Sequence, residues 1–459
     1  MSASSKNLIN DFTSGSVSKQ LIAFSAPLFL SNLLQVIYNM VDMIIVGHVN
    51  GDVGISAVSV GGDVSAFLTF IAIGFSSAGQ VIISQYIGAN RRELLGKFVG
   101  TMFTFLTSCA LLLSSVCLIL RTPILNIMNT PPDAFSQTLS YATICMTGLV
   151  FIYGYNIVGA ILRGMGDSHH PFIFISIAAI LNIVLDLIFV CLLDMSAGGA
   201  ALATVISQGV SFFASAVFLW RNKSRLGFEL EARDFLRINP QMLLSLVRLG
   251  VPMAIKNASI QFSKLFVNSW VNSYGVVVSA LAGIANKFTS VSNILSNSIN
   301  AAGSSMVGQN VGAGEYRRVP RIMLTSFCIT FCLSAAMSLA VVFFPHQIFS
   351  IFTTETEVLE LAMQYIPIAV LMFFGSCCRA PMNALINGSG NYKVNFATAL
   401  LDGIIMRIGL SSLFGIYLGM GYLGFWLGDA LAGFTPLFIG AVYYISGRWK
   451  VNKYVVSSK

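Results

Sequence analysis

Apolar runs of about twenty residues or more recur along this whole chain, each long enough as a helix to cross a hydrocarbon core roughly 30 Å thick. Reading the runs and their breaks gives twelve spans: 18–47, 53–87, 93–120, 134–163, 169–193, 198–220, 241–272, 276–311, 315–344, 357–387, 392–416 and 420–446. Several are longer than the minimum, which implies tilt, kinks or extension beyond the lipid. Charged residues are only 10% of the 459, against roughly 25% in soluble domains, so most of the surface cannot face water. In lipid a spanning backbone must satisfy its own hydrogen bonds, and helices do so within one segment. The expected fold is therefore an all-α polytopic membrane protein.

The net charge of +8 would suit nucleic acid, but its placement argues against that partner. With the N-terminus inside, nineteen of the 26 Lys and Arg fall on the inner side, Lys6, Lys453 and Lys459 among them. Arg121 stands alone outside, and six cations lie within spans. This bias toward one face predicts both termini in the cytoplasm of a cell membrane. All eight cysteines lie in apolar segments without metal-ligand spacing, which reads as free thiols.

The two halves overlay. Ala26-Pro27 with Asn32 returns as Val251-Pro252 with Asn257, an offset of 225. At 224, Ala78-Gly79 returns as Ala302-Gly303, and Gln85-x-x-Gly88-Ala89 as Gln309-x-x-Gly312-Ala313. Tyr141 and Gly164-x-Gly166-Asp167 return as Tyr365 and Gly388-x-Gly390-Asn391. Six spans per repeat, an even number, give the halves one orientation and a pseudo-twofold axis along the membrane normal. The expected organisation is an N-terminal lobe 1–220, a basic linker 221–240 and a C-terminal lobe 241–459 with a short cytoplasmic tail.

Ionisable groups at bilayer depth are costly, so each is a candidate functional group. The first span carries Asn32, Gln35, Asn39 and Asp42 at helical spacing on one face, with Tyr38 a turn before Asp42. The fifth stacks Asn182 on Asp186. Burial favours the neutral form of a carboxylic acid, so such groups can load and release a proton. With an amide and a hydroxyl they can instead cage Na⁺, or simply join helices. Asp402 and Arg407, five apart, read as a buried ion pair with Arg379.

The repeat, with Gln-x-x-Gly-Ala after the second and eighth spans, resembles the multidrug and toxic compound extrusion (MATE) family over nearly the whole chain. The resemblance implies two six-helix bundles rocking between outward- and inward-open states, a monomer exporting small organic compounds in exchange for H⁺ or Na⁺. It implies no other cofactor. Tyr38, Asp42, Tyr141, Asn182, Asp186 and Thr204 match the cation site of the DinF-like branch, with Na⁺ expected at Asp42, Asn182, Asp186 and Thr204. Pro27 matches a proline at which the first helix bends, a candidate hinge. The acidic residue that NorM-like proteins carry in the seventh helix is absent, since Ile260-Gln261 stands there.

Asn257, Gln261, Lys264 and Asn268 share one face of the seventh span, and Asn293 and Asn297 one face of the eighth. Stripes this polar do not face lipid. Together with Gln35, Asn39, Arg379 and Arg407 they are candidates for the wall of a substrate cavity. The second half also holds Lys256 and Lys287 within its spans, so Lys264, Arg379 or Arg407 is expected to meet an anionic group on the ligand. A lipid-linked saccharide flippase would want a more cationic cavity and two further helices. A major facilitator would carry Gly-x-x-x-Asp-Arg where Gly88-Ala89-Asn90-Arg91-Arg92 stands. A membrane enzyme would need clustered His or acidic residues at one interface, and the four histidines are scattered.

Overall fold

The structure, a computed structural model, describes residues 9–451 and 454; Lys6, Lys453 and Lys459 lie outside the described residues. Among the described residues two compact units emerge, one of residues 9–11 and 26–250, the other of 12–25 and from 251 on. Their boundaries directly precede Pro27 and Pro252, the repeat-related prolines.

α1 (Val17–Gly88) runs for 72 residues, through Pro27 and across a kink at Gly51, and lies in the first unit from Ala26 on. After it come α2 (Arg92–Ile119), α3 (Pro132–Thr147), α4 (Leu149–Gly164), α5 (His169–Leu192) and α6 (Ser196–Asn222). α3 and α4 form a pair bent by 48°. α2 shows why these segments are helices in lipid. Phe98, Met102, Leu106, Ala110, Ser114 and Cys117 recur every three or four residues on its buried side. Leu111, Leu112, Val116 and Ile119 leave the opposite side apolar and exposed. A helix apolar on both faces suits a bundle edge in a bilayer.

The second unit takes the rest of α7 (Pro240–Asn272), then α8 (Val276–Ala313), α9 (Val319–Phe343), α10 (Thr356–Gly388), α11 (Tyr392–Tyr417) and α12 (Gly421–Ile445). Its core gathers Val267, Leu281, Tyr365, Phe373, Phe425 and Trp426.

The repeat is visible in backbone geometry. Gly51 turns α1 at φ 60, and Gly275, 224 residues on, separates α7 from α8 at φ 110. Both backbones are left-handed, where only glycine is unstrained. Gly164 packs so closely that a Cβ would stand 2.8 Å from the Gln80 carbonyl, and Gly388 meets the Ser304 carbonyl at 2.7 Å, again 224 residues later. Small residues let helix backbones approach in this way.

By length and apolarity nine helices among the described residues can cross a membrane, or ten with the bent α3–α4 pair as one span. The expected twelve differs for two reasons. α1 stays one helix across Gly51 and counts once. α8, at 38 residues, is long enough but is too polar to be recognised by hydropathy. The segment read as a linker is packed rather than loose. Its short helix Ala232–Leu236 lies on α2, where Thr104 Oγ1 donates to the Phe235 carbonyl at 2.6 Å.

Candidate functional site: a buried carboxyl pair and a charged pocket

Within the first unit, α1, α5 and α6 converge on Asp42, Asn182, Asp186 and Thr204. Thr204 Oγ1 donates to Asp42 Oδ2 at 3.4 Å and accepts from Asn182 Nδ2 at 3.4 Å. Asp42, Asn182 and Asp186 are 4%, 1% and 0% exposed. The Asp42 and Asp186 carboxyls face each other closely enough to share a hydrogen bond once one carries a proton. Yet Asp42 Oδ1, both Asp186 oxygens and Asn182 Oδ1 are buried without a partner. Orphaned oxygens at such a density call for a proton or a cation, because buried acceptors are otherwise satisfied. A π-type turn, Leu187–Leu192, follows Asp186 directly; such turns recur at functional sites.

Tyr38 lies beside this cluster, buried, its hydroxyl accepting from Gln208 Nε2 at 3.3 Å. Tyr141 packs on Val46, Val58 and Cys145, within electrostatic reach of both carboxyls. All six residues matched on the first lobe are thus brought together, with Gln208 as an addition. The inward companion of Asp42 is Tyr38, whereas Gln35 and Asn39 are exposed.

The second unit holds a chain of buried charge. Arg407 Nη1 donates to Asp429 Oδ1, and its Nη2 lies 3.4 Å from Asp402 Oδ1, which Arg379 Nη2 also reaches at 3.4 Å. Lys256 Nζ donates to Asn383 Oδ1 at 2.6 Å. The Asp402–Arg407–Arg379 group read from sequence is therefore formed, with Asp429 as a member that the reading missed. A pocket bordered by Lys264, Asn293, Ser376, Arg379, Arg407 and Asp429 opens beside this chain. A second pocket shares Lys264 and Asp429 with it and adds Asn268, Tyr365 and Trp426. Asn257, Gln261 and Asn297 border neither, and Gln261 and Asn297 are exposed. Lys287 is exposed as well.

The MatE family profile matches residues 27–188 and again 252–413, two stretches of equal length in the repeat register. The chain belongs to the MATE family. It is similar to the probable multidrug resistance protein YoeA of Bacillus subtilis, at 28% identity over 94% of each chain. It also resembles the probable multidrug resistance protein NorM of Thermotoga maritima, at 23% identity over 95% of this chain and 93% of that one. Among solved structures, a MATE protein in complex with MaD3S superposes with a TM-score of 0.87 at 21% identity, covering 96% and 98%. A MOP superfamily transporter from Pyrococcus furiosus, described as having a binding pocket of reverse polarity, gives 0.88 at 21% identity, covering 98% and 100%. MATE proteins are multidrug transporters rather than enzymes, and this one is a multi-pass helical membrane protein.

Proposed function

We propose that this MATE protein is a secondary antiporter that exports small organic compounds by alternating access. Asp42 and Asp186 form the site that loads H⁺ or Na⁺. The observation that carries this reading is the pair of facing, buried carboxyls with three unpartnered oxygens. Two ionised carboxylates at such range, out of water, are mutually repulsive and poorly solvated. The empty, doubly charged pair is therefore tolerable only where water reaches it, and a bound proton or cation relieves the repulsion. Gain and loss of that ion then bias one state of the carrier over the other, which ties ion flow to solute flow. A proton satisfies the carboxyls alone, whereas Na⁺ would also use Asn182 Oδ1 and Thr204 Oγ1. The remaining topology follows the charge bias, with both termini in the cytoplasm and the protein in the cell membrane.

The test is export of a fluorescent organic probe from proteoliposomes with H⁺ and Na⁺ gradients imposed separately. One gradient should drive export and the other should not. Equal export with neither gradient would overturn ion coupling.

A further inference from the structure

Asn182 and Thr204, which touch in the first unit, correspond at an offset of 225 to Arg407 and Asp429, which touch in the second. At the same offset, exposed Asn39 corresponds to Lys264 on the pocket wall. Where the first half leaves three carboxylate oxygens open, the second leaves one, Asp402 Oδ2, and sets its own guanidinium between two carboxylates. A free cation entering there would meet Arg407 already in place, so the second half does not duplicate the cation site.

The arithmetic of charge then favours the opposite ligand. Asp402 and Asp429 are the carboxylates of this network, and both are engaged by Arg407. Arg379 holds Asp402 by one contact of 3.4 Å, and its buried Nε has no partner. Among the described residues, no carboxylate lies within ion-pair distance of Lys264, which borders both pockets. Two carboxylates thus face four cations, Lys256 among them, and Lys264 and Arg379, neither held by more than one carboxylate contact, line the same pocket. Beside them the adjoining pocket is walled by Tyr365 and Trp426, edge to face at 5.0 Å between ring centroids.

We propose that this pair of pockets is a binding site for aromatic organic anions. Lys264 and Arg379 take the oxyanion, and Tyr365 and Trp426 take the ring. Arg407 is positioned by Asp429 and contributes field rather than a free donor. This deepens the export reading by naming a substrate class, but its test needs no transport. If the site binds such an anion and no gradient drives its export, this inference stands and the export reading falls.

The test is calorimetric titration of the full chain in nanodiscs, against empty discs, with 2-naphthoate, 2-naphthamide and 2-naphthylmethylammonium. Naphthoate should bind about tenfold or more tightly than either analogue, a difference of about 1.4 kcal/mol. Lys264→Gln and Arg379→Gln should each weaken naphthoate by about tenfold, and Lys264→Arg should restore most of it. Asp429→Asn, which removes opposing charge, should tighten it. Should either glutamine variant fail to fold, the analogue series on wild type and Asp429→Asn decides alone. The proposal is overturned if wild type binds none of the three, if the amide or ammonium binds as tightly, or if folded glutamine variants bind naphthoate unchanged.

Discussion

Arg407→Met removes the guanidinium that joins Asp402 to Asp429 while keeping a long side chain in its place. Arg407 is 2% exposed and Asp402 0%, so water offers little compensation. Breaking one side of a buried ion pair typically costs about 3–5 kcal/mol, because the abandoned charge stays buried. Arg379 still reaches Asp402 at 3.4 Å, and Lys264 borders the same pocket as Asp429, so the loss belongs near the lower end, about 3 kcal/mol. Adding Asp429→Asn removes one of the stranded charges and should recover about 1 kcal/mol or more, a non-additivity expected of residues in direct contact. The assay is reversible unfolding by dodecyl sulfate in mixed micelles, followed by helical circular dichroism for wild type, both single variants and the double. A loss under about 1 kcal/mol for Arg407→Met would refute the reasoning. So would a double variant whose loss equals the sum of the two singles.

Gly388→Val places a branched side chain where even a Cβ would stand 2.7 Å from the Ser304 carbonyl. It should destabilise by about 1–3 kcal/mol in the same unfolding assay, and a neutral result would contradict the close packing of α8 on α10. For topology, cysteines placed near Asp52 and Asp194 should react with an impermeant label in intact cells, and cysteines near Arg92 and Arg317 should not. Labelling of the Arg317 loop from outside would invert every later helix. Na⁺, if it is the ion, should raise the melting temperature of wild type and not of Asp186→Asn, because a ligand of the native state stabilises by mass action; no shift in wild type would leave the proton.

The first-unit cluster was legible because Asp42, Asn182 and Asp186 are polar groups in helices that otherwise cannot afford them, and helical spacing stacks Asn182 on Asp186. Which neighbour of Asp42 turns inward was not legible. Tyr38 and Asn39 are adjacent in sequence, and the polar stripe Asn32, Gln35, Asn39 and Asp42 pointed to Asn39; the fold instead buries Tyr38 with Asp42 and leaves Gln35 and Asn39 exposed. Asp429 escaped notice because it is a single acid after a glycine in the otherwise apolar α12. The repeat register held the missing signal, since Thr204 plus 225 is Asp429 and Asn182 plus 225 is Arg407. The break at 48–52 and the span 276–311 were legible in the sequence; the span count differs because α1 runs on through Gly51 as one helix and α8 is too polar for a count by length and mean hydropathy.

The central claim is that Asp42 and Asp186 together carry the coupling ion. Asp42→Asn and Asp186→Asn keep the shape of each side chain and remove its ability to ionise. Gradient-driven probe export should be measured in proteoliposomes holding equal amounts of folded wild type and of each variant. Both variants should lose gradient-driven export while still incorporating into the membrane, and wild-type export rates from both would contradict the account.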